Sequence, residues 1–150
     1  MTTHILSMTY GPKIEAVFGG TNDQTIRLVR SDAPWNVGDK AILHTWAGRP
    51  YASPWGRRLD TSIKELEYFY LEKGIGWFNA REPLVREPIG PKLTEEHMDA
   101  LAVRDGIVPG KASALIETLM ALNGLTQEQL YYAMFRAIRW PLPGPMVKGC

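Results

Sequence analysis

GTNDQTIR, the eight residues from Gly20 to Arg27, sits where a helical pattern gives way to an alternating one, and the reading of the fold starts there. Upstream, Gly11–Pro12 opens a brief helix: proline is tolerated in a first turn, and Ile14, Val17 and Phe18 follow at helical spacing. Gly19–Gly20 ends it, since glycine enters the left-handed conformation without steric penalty. Downstream, Gln24–Arg30 alternates as a strand does. Ile26 and Leu28 fall on one face, with Thr25, Arg27 and Val29 on the other.

Further out, His4–Met8 suits a first strand. Asn36–Val37–Gly38–Asp39 is turn chemistry before the apolar run Ala41–Trp46. Ala47–Gly56 is rich in glycine and proline and reads as an excursion between strands. Arg58–Leu71, with Leu59, Ile63, Leu66, Tyr68 and Tyr70, makes one strand or two. Gly74–Pro91 reads as irregular, anchored by Trp77 and Phe78. Thr94 can cap a helix that begins beside Leu93, with Met98 placed for a hydrophobic staple. Lys111–Asn123 is the clearest helix: Leu115, Ile116, Leu119 and Leu122 form an apolar stripe, and Gly124 closes it. Thr126 with Gln129 forms a second capping pattern, and Tyr131–Trp140 reads mainly as a strand. The expected fold class is therefore α+β, a mixed sheet or small barrel with flanking helices.

The bulk numbers bound this reading. A chain of 150 residues, 45% hydrophobic and 22% charged, suffices for one domain and is too short for two ordinary ones. Residues 1–140 are expected to form it, with 141–150 a flexible proline- and glycine-rich tail. No apolar run reaches the roughly 18 residues of a membrane span, and the amino terminus lacks a signal-peptide pattern, so the expected compartment is the cytoplasm. The lone Cys150 leaves no internal disulfide or thiolate-rich metal site. His4, His44 and His97 lack ligand spacing, so neither a metal nor another cofactor is expected. Phosphate-cradling loops, dinucleotide fingerprints and nucleophile elbows are missing from the sequence. Net charge is only +1, but Arg27, Arg30, Lys40, Arg49, Arg57 and Arg58 cluster against Asp32 and Asp39.

Gly20 and Arg27 occupy the first and last positions of an octad that resembles the ASCH-domain signature of the PUA-like superfamily: glycine, any, lysine, any, any, glutamate, any, arginine. Asn22–Arg27 resembles the "TQTIR" subgroup in particular. Three further stretches resemble family motifs in order: Val37–Gly38–Asp39–Lys40, Trp46–Arg49 through Arg57–Leu59, and Ala102–Val103–Arg104–Asp105–Gly106–Ile107. The resemblance covers most of residues 4–140. It implies a PUA-like mixed β-barrel or sheet and a cleft for RNA or a nucleotide. Some ASCH proteins resemble amidohydrolases acting on acylated cytidines, through the motif lysine, a threonine at the Thr25 position and a downstream glutamate. Here Asn22 replaces the lysine and Thr25 the glutamate. Asparagine can hydrogen-bond a base edge but cannot act as base or nucleophile, which counts against that hydrolysis.

The candidate ligand-binding residues are Asn22, Thr25, Arg27, Trp46, Arg49, Tyr51, Arg57 and Arg58. Arg27 offers a planar fork for phosphate or a base edge; its alternative is an ion pair with Asp39, Asp60 or Asp105. Thr25 shares its face and either donates to a ligand or bonds across the sheet, whereas Gln24 points the other way. From Trp46 to Arg58, cations alternate with rings, the mixture that single-stranded nucleic acid uses; the plainer reading makes the tryptophans anchors and the arginines a solvated rim. Thr25, Arg27, Glu95 and Tyr51 are the candidate catalytic residues, although Glu95 also suits a helix's positive end. Three functions remain open: an RNA- or nucleotide-binding module, a small hydrolase on modified pyrimidine nucleosides or RNA, and a regulatory or phage-type protein-interaction factor.

Overall fold

The computed structural model describes residues 2–30 and 34–142. Along the chain run β1 (Thr3–Ser7), α1 (Gly11–Phe18), β2 (Gln24–Leu28), β3 (Lys40–Trp46), β4 (Trp55–Ser62), β5 (Glu65–Glu72), β6 (Gly76–Ala80), α2 (Glu95–Arg104), α3 (Ala112–Asn123), α4 (Gln127–Leu130) and β7 (Met134–Arg139). The molecule is thus mixed α+β. Its strands form two sheets, ordered β1-β3-β4 and β2-β7-β5-β6, which do not close into one barrel among the described residues. The expected tail lies outside the described residues from position 143 onward, and with it Cys150. No helix among the described residues is long and apolar enough to cross a membrane.

Alternation decides which way the four-stranded sheet faces. Thr25 lies opposite Ile138, Arg27 opposite Arg136, and Arg136 opposite Tyr68, so all share the face turned toward the smaller sheet. Ile138 packs there with Leu6, Leu43, Ile63 and Trp140. The other face carries Ile26, Phe69, Phe135 and Ala137, buried against Leu101, Leu115 and Leu119 of α2 and α3. β7 is buried along its whole length, as a central strand covered on both sides must be.

The helix ends follow their chemistry. The Thr94 hydroxyl accepts from the His97 amide, Thr126 and Gln129 complete a capping box, and Gly124 stops α3 in the left-handed region at φ 62°. Three expectations are corrected. The segment read as irregular contains β6, whose brevity hid it: Trp77 is buried, and glycines at φ 79° and 145° (Gly74, Gly76) make the tight return from β5. β4 begins at Trp55, so the excursion read over Ala47–Gly56 is shorter by two residues and Arg57 joins Arg58 in the strand; Arg58–Leu71, read as one strand or two, is two, broken after Ser62. Leu122 leaves the apolar stripe and is 53% exposed, because α3 ends there beside a cavity rather than over core.

Candidate functional site

A cavity of about 190 Å³ opens where the end of β1, the first turn of α1, β2 and the end of α3 meet. Its lining combines the apolar groups of Met8, Tyr10, Ile26 and Leu122 with the cations Lys13, Arg27 and Arg30, the buried Thr25 and the exposed Tyr51.

Arg27 reaches the cavity by strand alternation and is held in place there. Its Nη2 donates to the Ser7 carbonyl at 2.6 Å and its Nε to Thr25 Oγ1 at 3.3 Å. Among the described residues Nη1 makes no hydrogen bond, which leaves one end of the fork for a ligand. The ion pairs proposed as its alternative do not form. Asp39 bonds His4 at 2.9 Å, Asp60 bonds Arg58 at 2.6 Å, and Asp105 bonds Lys13 at 2.9 Å.

Lys13 escaped the sequence reading. It lies four residues before Val17, so both fall on the buried face of α1, and only 7% of its surface is exposed. Its partner, Asp105, comes 92 residues later and is equally buried. A cation at i−4 from a core valine was the available signal. Burial pushes the Lys13 amine below its ordinary value and the Asp105 carboxyl above its own, while their mutual attraction opposes both shifts. Burial likewise lowers Arg27, with Asp105 opposing the shift, and the guanidinium stays charged. Asp105 accepts from Gln24 Nε2 at 3.4 Å, and Gln24 Oε1 accepts from Arg139, which also grips Glu65 and Glu67 at 2.7 Å each. Gln24 does point away from Thr25 and Arg27, and it ties the cavity's floor to the helix-side polar network.

The remaining sequence candidates divide. Thr25 is fully buried, so its main work is to orient Arg27. Asn22 is also buried. Its Oδ1 accepts from the Gln24 amide, and its Nδ2 lies 2.8 Å from where a Cβ on Gly106 would stand. That places it behind the cavity, not within it, which corrects its assignment to the ligand. Tyr51, 81% exposed at φ 61°, brings the 47–54 flap to the cavity rim. Arg49 is exposed at the flap tip, away from the lining. Trp46 lies tilted against Tyr51 at 5.0 Å and edge-on to His44, and Trp55 stacks on His44 at 4.0 Å, so both rings are engaged within the protein. Arg57 pairs with Glu15 and Arg58 with Asp60, both outside the cavity. Glu95 is exposed at the start of α2 and does not line the cavity, which removes it from any catalytic group there.

No family model, curated protein or solved structure matches this chain. What its fold and cavity define is an α+β domain with a recessed, cation-lined cleft.

Proposed function

We propose that this protein is an RNA- or nucleotide-binding domain of the PUA-like, ASCH type, with the cleft beside Gly20–Arg27 as its ligand site. One observation carries the reading: Lys13, Arg27 and Arg30 converge on a single cavity to which, among the described residues, no carboxylate is exposed. A cavity of this size, below the roughly 300–1,000 Å³ typical of drug-sized ligands, suits one phosphate or one base rather than a folded partner. Tyr10, Tyr51 and Leu122 supply apolar surface on which a base can lie.

The test is binding of a labelled single-stranded RNA over a salt series. One engaged phosphate, at roughly 0.7 per phosphate for a single strand, gives a slope of log K on log salt of about −0.7. Arg27→Gln is expected to remove most of the affinity. An Arg57→Ala, Arg58→Ala double variant is expected to keep it, since those guanidiniums are paired elsewhere. Binding that ignores salt, or that survives Arg27→Gln, refutes the reading.

One observation favours the hydrolase alternative. Lys13 puts an amine in the cleft although the motif lysine is missing, and burial lowers its proton affinity toward that of a working base. Turnover of an acylated cytidine that disappears in Lys13→Gln would establish it.

A further inference from the structure

We propose that the cleft selects a phosphomonoester: a terminal phosphate rather than the diester of a continuous strand. The inference rests on the nucleotide-binding reading and narrows it.

The first argument is charge. Among the described residues the cavity is lined by the cations Lys13, Arg27 and Arg30, and Asp105 behind Lys13 neutralises one of them. Two positive charges remain among the described residues. A monoester carries about −1.5 to −2 near neutral pH and matches both, whereas a diester carries −1 and matches only one.

Shape is the second. Two of the lining groups, Thr25 at 0% and Lys13 at 7% exposure, are buried, so solvent does not reach past them on that side. A monoester has one substituent and needs one way out; an internal diester needs two. Donors are placed for the inner oxygens: Arg27 Nη1 is unengaged among the described residues, and the Lys13 amine spends one hydrogen bond on Asp105.

The third argument is the surroundings. A protein that follows a strand lines up further cations for successive phosphates. Here Arg57 is paired with Glu15, and Arg58 with Asp60. Arg104, farther off, is gripped by both oxygens of Asp23 at 2.8 Å. Arg49, exposed on the flap and without an ion pair among the described residues, is one further cation rather than a row of them.

The test compares end-labelled RNA decamers of one sequence carrying a 5′-phosphate, a 5′-hydroxyl, a 5′-methylphosphate diester or a 3′-phosphate, alongside uridine 5′-monophosphate as competitor. A phosphomonoester is expected to bind about 10- to 100-fold more tightly than the hydroxyl or methyl diester, the worth of one or two charge-assisted hydrogen bonds. Which phosphorylated decamer wins, and whether the mononucleotide displaces it at equal concentration, identifies the source of the phosphate. Equal affinity for all decamers overturns the inference and leaves the nucleotide-binding reading standing; absence of binding by every probe removes both. Arg30→Gln, at an exposed position where folding is not at stake, is expected to cut the monoester preference several-fold with thermal unfolding unchanged. An undiminished preference in that variant also overturns the inference.

Discussion

Replacing Asp105 by asparagine tests whether the Lys13–Asp105 pair is what holds the cleft's lysine in the interior. The substitution keeps shape, and an asparagine oxygen still accepts from Gln24 Nε2, so the principal change is the loss of charge. The two side chains are 8% and 2% exposed and 2.9 Å apart. Breaking such a pair from one side strands the other charge and costs about 3–5 kcal/mol. At about 2–4 °C per kcal/mol for a domain of this size, the melting temperature falls by about 6–20 °C. The pH dependence adds a signature. Lys13 already has its proton affinity lowered by burial, and losing Asp105 lowers it further. Below the ordinary lysine value near 10.4 the unfolded chain then binds more protons than the folded one. The stability of the variant therefore rises with pH, from the lowered folded value up to the ordinary one. Thermal unfolding followed by circular dichroism between pH 6 and 10, for wild type, Asp105→Asn and the Lys13→Met, Asp105→Asn double variant, reads all of this. The double variant is expected to recover much of the loss, because no buried charge is left unpaired. A single variant that melts within about 2 °C of wild type, with no added pH slope, refutes the reasoning.

Gly106→Ala is expected to cost about 1–3 kcal/mol in urea unfolding, since φ is +76° and the new methyl meets Asn22 Nδ2 at 2.8 Å. Arg58→Ala is expected to change stability by less than about 1 kcal/mol by the same assay, because its pair with Asp60 is half exposed. Acid titration is expected to destabilise the fold below about pH 4. Hydrogen bonds from Arg104 and from His4 hold Asp23 and Asp39 low. For Glu67, burial pushes the carboxyl up, but Asn79, Arg139 and His97 more than offset it. Each contribution is complete above the unfolded value near 4 and disappears as pH falls through the lower folded value; a fluorescence titration from pH 6 to 2 follows it.

Local chemistry made much of this molecule legible. α1 with its proline, the capped α2, the glycine-ended α3 and the alternation that puts Thr25 and Arg27 on one face all follow from neighbours within a few residues. β6 did not, since five residues containing a glycine carry little periodicity. The site was half legible for the same reason. Arg27 shows itself within its own strand, whereas Lys13 acquires meaning only through a carboxylate 92 positions away. The flap misled in the opposite sense. Its arginines and rings are the right residue types, but Glu15 and His44 engage Arg57 and Trp55 from other segments, and Arg58 is taken by Asp60 two residues on. Spacing within one stretch cannot reveal partners supplied by another.

β7 comes last of the eleven elements among the described residues and yet lies between β2 and β5. The two strands it joins share no ladder until it enters, and Arg139 alone spans 115 residues to Gln24 and 74 to Glu65. Assembly of the larger sheet therefore waits on its final ribbon, a long-range closure that slows folding relative to a hairpin-by-hairpin order. During synthesis the edge of β2 that bears Thr25 and Arg27 stays unzipped until residue 139 has been made, so the cleft is among the last parts of the molecule to come into being.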